Sequence, residues 1–238
     1  MDLNSELLQH FMTTFYGSGN YDGDYWFVGM EEGGGKDLGE VTERFNAWND
    51  LGATELVDIY DFHLKIGFLK FFTGKAVIQP TWEQQARIVL ASKGRPSGRE
   101  DVRTYQRDFI GRKSGETCLL ELFPLPSPGV NHWNYGLWSE LSFLKDRDIY
   151  RDYCAPWRIE HIRLRIQEYK PKFVVFMGMD YKKYWYSIAG LNLSFDDKGG
   201  FKAGSSEGTT YVMTWHPTAS GIKNEYFEKI GEYISQFI

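Results

Sequence analysis

The stretch KFVVFMG, residues 172 to 178, restricts the possible folds more than any other part of this sequence. Phe173 to Met177 is unbroken apolar and aromatic chain with no polar alternation. A strand of that kind has no face to give to water and must be covered on both sides, as in the parallel sheets of α/β proteins. The preceding IEHIRLRIQEYKP has helical spacing and stops at Pro171. Three further short runs read as strands: Tyr25 to Met30, Thr117 to Phe123 and Thr210 to Trp215. Helical patterns separate them, which predicts a three-layer α/β/α sandwich around a central four-stranded parallel sheet. Residues 1–238 read as a single domain with a helical elaboration at about 38–113 (TERFNAWNDL, VDIYDFHLKIGFLKFF, TWEQQARIVLA), broken by the GRPSG turn at 94–98. The glycine- and serine-rich FDDKGGFKAGSSEG, residues 195–208, predicts a hairpin or loop before the last strand.

With 42% hydrophobic and 17% aromatic residues, the chain has the means to fill such a core, which excludes a disordered reading. Leu3, Leu7, Leu8, Phe11 and Phe15 mark one face of an N-terminal helix, unlike the basic start and apolar run of a signal peptide. No stretch is apolar enough to cross a bilayer, so the expected location is the cytoplasm and no membrane partner is expected. Cys118 and Cys154 are too few for a disulfide framework or a thiolate metal site, and the histidines show no paired ligand spacing. No metal or organic cofactor is expected. A net charge of −5 argues against general adhesion to nucleic acid. One segment departs from that balance: Arg87 to Lys113 carries eight basic residues against three acids. Within it Arg99, Arg103 and Arg107 recur at a spacing of four, which predicts a helix face able to meet successive phosphates; a solvated face is the plainer alternative.

Three predicted strands end in unusual segments: GMEEGGGKD at 29–37, ELFPLPSPG at 121–129 and WHPTASG at 215–221. In a parallel sheet these ends share one edge, where ligands bind. GGGKD is not a phosphate-binding P-loop, because Met30 stands at the first-glycine position and Asp37 follows Lys36 where Ser or Thr is needed.

In order and placement these motifs resemble the uracil-DNA glycosylase superfamily, whose first strand ends in a motif such as GQDPY or GMNPG and whose fourth ends in HPS before a DNA-probing loop. The matching residues are Gly29, Met30, Glu31, Glu32 and Gly33, then His216, Pro217 and Thr218. The resemblance implies a monofunctional DNA glycosylase, acting as a monomer on a flipped base. It places Glu31 at the acid or amide that supports the cationic sugar, His216 as donor to the departing base, and Glu121 as the reader of the base edge. Gly29, Met30 and Gly33 would line the base site, and Lys36, Thr218 and Ser220 would join the arginine face in contacting DNA. Glu32 replaces the family proline. Ile222 is the one apolar residue near the place of the family's wedge.

Glu121 stands where the family carries an amide. An ionised carboxylate there repels uracil O4 and accepts from the exocyclic amine of cytosine. Gly33 stands where strict uracil enzymes carry a tyrosine that blocks C5, and Gly34 and Gly35 follow it. Together these predict a 5-substituted cytosine as in modified phage DNA, since removing ordinary cytosine would destroy a host genome. A flipped base is held against an aromatic ring. Phe45 is the candidate in the base-binding set, with Trp48 and HWNYGLW at 132–138 as further rings. The alternatives are a uracil or mismatch glycosylase, and a non-catalytic nucleic-acid-binding module on the same scaffold.

Overall fold

The computed structural model describes residues 2–129, 131–190 and 193–238. In chain order the elements are α1 (Ser5–Thr14), β1 (Gly17–Gly19), β2 (Tyr25–Gly29), α2 (Leu38–Asp50), β3 (Leu56–Val57), α3 (Ile59–Lys65), α4 (Pro80–Ser92), α5 (Arg99–Asp108), β4 (Thr117–Glu121), α6 (Tyr135–Trp138), α7 (Arg147–Tyr169), β5 (Phe173–Met177), α8 (Lys182–Ala189), β6 (Asp196–Asp197), β7 (Lys202–Ser206), β8 (Thr209–Thr214) and α9 (Asn224–Ile234). Short polar caps start the helices: Asn4 accepts from Leu7 N at 2.9 Å and Asp37 from Glu40 N at 2.9 Å, each satisfying an otherwise orphaned donor. Pro80 opens α4, where its missing N–H costs nothing. Lys170, in the left-handed region with φ 48°, closes α7 just before Pro171.

The sheet is α/β in character but larger than expected. Among the described residues it has eight strands in the order β3-β1-β4-β2-β5-β8-β7-β6 and is mixed, which corrects the expectation of a four-stranded parallel sheet. The four strands read from the sequence form its middle, where β4, β2, β5 and β8 run parallel with Val28 opposite Leu120 and Phe176. β1 and β7 flank this centre antiparallel to it. The FDDKGGFKAGSSEG segment forms the β6–β7 hairpin, whose second strand pairs with β8.

β5 shows why the centre is parallel and buried. Val174 and Phe176 enter one core with residues of α1, α2, α7 and α8, while Phe173, Val175 and Met177 enter a second with α4, α5 and α9. Removing an aromatic side chain of this size from water stabilises the fold by about 2–3 kcal/mol. The 38–113 segment therefore supplies α4 and α5 to a helical layer as well as connecting two strands. Cys118 and Cys154 are buried free thiols. No helix among the described residues is long and apolar enough to cross a membrane.

Candidate functional site

Parallel pairing brings the carboxyl ends of β4, β2, β5 and β8 to one edge of the sheet. The next central strand in the chain after β2 lies on one side of it (β4), and the one after that on the other (β5). In open α/β sheets ligands bind at such a reversal, outside the strand ends. Glu31 follows β2 at this position, and His216 follows β8 on the same edge, two strands away or about 10 Å by strand spacing.

The acids and glycines of GMEEGGGKD have individual partners. Glu31 Oε1 accepts from Arg147 Nη2 and, at 3.4 Å, from Arg151 Nη2; both arginines lie in the first turns of α7, four residues apart and so on one face. Glu31 Oε2 is buried and has no hydrogen-bond partner among the described residues. Burial pushes the Glu31 carboxyl above its ordinary range, and the two guanidinium groups oppose that shift. Glu32 pairs with the buried Arg44 of α2 at 2.8 Å. Gly34 and Gly35 have positive φ, and added side chains would approach Arg44 Nη2 to 2.5 Å and the Pro126 carbonyl oxygen to 2.7 Å. Only Gly33 of the three faces open space. The room inferred from the triple glycine thus narrows to Gly33; its neighbours are glycine because the loop packs closely and turns through the left-handed region.

Glu121 ends β4 opposite Gly29. A Cβ on Gly29 would lie 2.6 Å from Glu121 Oε2, so the absence of a side chain at 29 makes the space this carboxyl occupies. Oε2 is sealed from solvent and unpartnered among the described residues. Burial pushes the Glu121 carboxyl well above the ordinary range, and the charges of Glu32 and Glu31 push the same way. A protonated Glu121 donates as well as accepts. In that protonated form the expected discrimination by an anionic carboxylate loses its charge basis, because a neutral acid does not repel uracil O4. A raised folded-state pKa also means that the folded protein holds this proton where the unfolded chain, with its ordinary value near 4.5, has released it. Stability should fall as pH rises through that window. Glu121→Gln should flatten this part of the dependence in urea unfolding between acid and neutral pH; an unchanged slope would place the ionised carboxylate in the folded state.

His216 lies at the exposed end of β8, in the loop before α9. Its Nδ1 accepts from Thr218 N at 3.2 Å and lies 2.9 Å from Thr218 Oγ1. A backbone N–H only donates, so Nδ1 is the unprotonated nitrogen and Nε2 carries the hydrogen. Burial of part of the ring holds its pKa below the usual histidine range, which favours this neutral tautomer at pH 7.

Other expected residues are placed differently. Phe45 is buried in the core, 4.5 Å from the Phe11 ring centroid, and Trp48 is fully buried, so neither is open to a base. Helical periodicity pointed both at α1 rather than at the strand ends. Trp133, from the HWNYGLW segment, is partly exposed, packs in tilted contact with Tyr135 and Tyr150, and lies beneath the Arg147 guanidinium, 5.7 Å from ring centroid to carbon. Met30 is a core residue, Lys36, Thr218 and Ser220 are exposed on the loops, and Ile222 packs against the second core. The arginine stripe is not continuous. Arg103 is buried, with Nε donating to the Ala76 carbonyl at 2.9 Å and Nη1 bound to Glu100; Arg107 forks onto Asp108 at 2.7 Å. Of the three, Arg99 alone is exposed without an ion pair among the described residues.

Arg44, Arg147 and Arg151 were not singled out from the sequence. RDIYR at 147–151 offered one signal, a pair of arginines four apart at the start of a helix, but no sequence pattern pairs them with Glu31. Comparison with known proteins finds no protein-family model and no curated protein that matches this chain.

Proposed function

We propose that this protein is a monofunctional DNA glycosylase acting on a flipped pyrimidine, with helices on both faces of the sheet forming the three-layer sandwich such a site needs. One observation carries the reading. Glu31 and His216, whose Nδ1 accepts from Thr218 N, follow strands on either side of β5 at the same carboxyl edge of the parallel strands. Heterolysis of the glycosidic bond sends the electron pair to the base and leaves an oxocarbenium-like sugar. The Glu31 carboxylate supplies negative charge to that sugar, and His216 Nε2–H donates to the anionic base. Water then adds to the sugar carbon and its proton neutralises the base. Arg147 and Arg151, paired with Glu31, favour its anionic form against the effect of burial, and that anion acts on the sugar electrostatically.

Open space at Gly33 supports a base carrying a C5 substituent, as in modified phage DNA, and hence a role in defence. A second reading, a uracil or mismatch glycosylase in repair, is favoured by the burial that raises the Glu121 pKa, since the protonated form donates to uracil O4. Incubation with oligonucleotides bearing uracil or a bulky 5-substituted cytosine, followed by alkaline cleavage at abasic sites, separates the two. Strand breaks at the substituted cytosine are expected; breaks at uracil alone would select the second reading, and breaks at neither would remove both.

A further inference from the structure

A cleft of about 560 Å³ lies apart from Glu31, between the 75–78 loop, the first turns of α4 and α5, and the first residue of α9. Its volume is that of a small-molecule site. Lys75, Arg87, Arg99 and Arg103 line it, against Glu83 as the one acid. Arg87 and Arg103 form fixed walls. Arg87 is buried, bound to Glu83 at 2.9 Å, to Glu228 at 3.2 Å and to the Ser97 carbonyl. Its Nε–H is also buried and finds no acceptor among the described residues. Arg103 is held by Ala76 and Glu100.

Lys75 and Arg99 are different: both are exposed, and neither has an ion pair among the described residues. They stand near enough to Glu100, with Arg103, to lower its pKa, which places all three cations in one field. Two helices also begin at the walls without a side-chain cap, α5 after Gly98 and α9 after Lys223, though acids in their first turns (Glu100 and Asp101, Glu225) offset the partial positive charge of their first N–H groups. Glu83, Glu228 and Glu100 balance the two wall arginines, which leaves Lys75 and Arg99 as the cations without an ion pair among the described residues; with the buried, unsatisfied Arg87 donor they fit an anion with several acceptor oxygens.

We infer that this cleft binds a phosphate-bearing ligand of mononucleotide size, with Lys75 and Arg99 as the mobile contacts and Arg87 and Arg103 as the rigid wall. Ala76, Val77 and Ile78 give the remainder of the ligand an apolar surface. The phosphate is either that of a free nucleotide or a phosphodiester of a DNA strand. The inference stands apart from base excision, because it concerns binding alone.

The test is calorimetric titration at low salt with inorganic phosphate, deoxycytidine monophosphate and a short single-stranded oligonucleotide. The proteins are the wild type, the Lys75→Glu/Arg99→Glu variant, and Arg163→Glu on α7 as a control outside the cleft. Both cleft positions are exposed and have no ion pair among the described residues, so folding should survive, as circular dichroism would verify. The cleft variant should bind about tenfold or more weakly, and the Arg163 variant should bind like wild type. Mononucleotide binding that inorganic phosphate competes away assigns the site to a free ligand; oligonucleotide binding alone, with the same dependence on Lys75 and Arg99, assigns it to a DNA strand. Absence of binding by all three probes, or equal losses in the cleft and control variants, would overturn the site. Neither result depends on base release, so failure of the excision assay and failure of this one are distinguishable.

Discussion

Arg158→Met is expected to lower the melting temperature by about 10 °C or more, the loss of about 3–5 kcal/mol that follows when a buried charged network is broken. Arg158 is fully buried in α7 and has no carboxylate partner among the described residues. Instead its guanidinium donates to the carbonyls of Leu122 at 2.8 Å, Phe15 at 2.6 Å, Glu121 at 2.6 Å and Met12 at 3.3 Å. Its carbon lies 3.6 Å from the centre of the Tyr16 ring. Methionine nearly fills the volume but returns none of those hydrogen bonds, and each buried carbonyl left unpaired costs about 1–3 kcal/mol. Because the same guanidinium ties the end of α1 to the end of β4, the position of Glu121 should shift as well. Arg163→Ala, on the surface of the same helix and paired with Glu160, should change stability by no more than about 0.5 kcal/mol. Similar melting of the two variants would show that the Arg158 network contributes little.

Glu31→Gln is expected to reduce base release about 10²–10³-fold while leaving oligonucleotide affinity within a few-fold of wild type, the effect of removing charge felt only in the transition state. The amide keeps the shape but leaves Arg147 and Arg151 without their shared anion. A melt must therefore accompany the assay. His216→Ala offers the same test from an exposed position, and its loss of the Nε2–H donor should cost a comparable factor without touching the core. If both variants release base as fast as wild type, the proposed pair has no part in the chemistry. A wild type that binds DNA and releases nothing would leave the binding-module alternative in its place.

The parts of the fold legible in the sequence were those with a burial pattern. Phe173–Met177 was recovered to the residue because a wholly apolar strand leaves no ambiguity, and β2, β4 and β8 were found with ends shifted by one or two residues. β1 was not, because Gly17–Gly19 reads GSG and carries no side chains to form a pattern; its place is set by pairing with β3 and β4. β3 and β6 have two residues each, too short for any periodicity. At the site, the strand ends and their shared edge were visible. The arginine partners were not, since Arg158 and Arg147 sit in helical spacing that ordinarily marks a surface, and only tertiary packing seals them. The same packing removed Phe45 and Trp48 from the site.

The short outer strands have a consequence for association between copies. Both borders of the sheet finish in two-residue strands, Leu56–Val57 on one flank and Asp196–Asp197 on the other. Neither offers enough unpaired main chain to template a growing cross-β stack, and the aspartates add mutual repulsion on their side. Strand-to-strand propagation from these two-residue borders is thereby disfavoured.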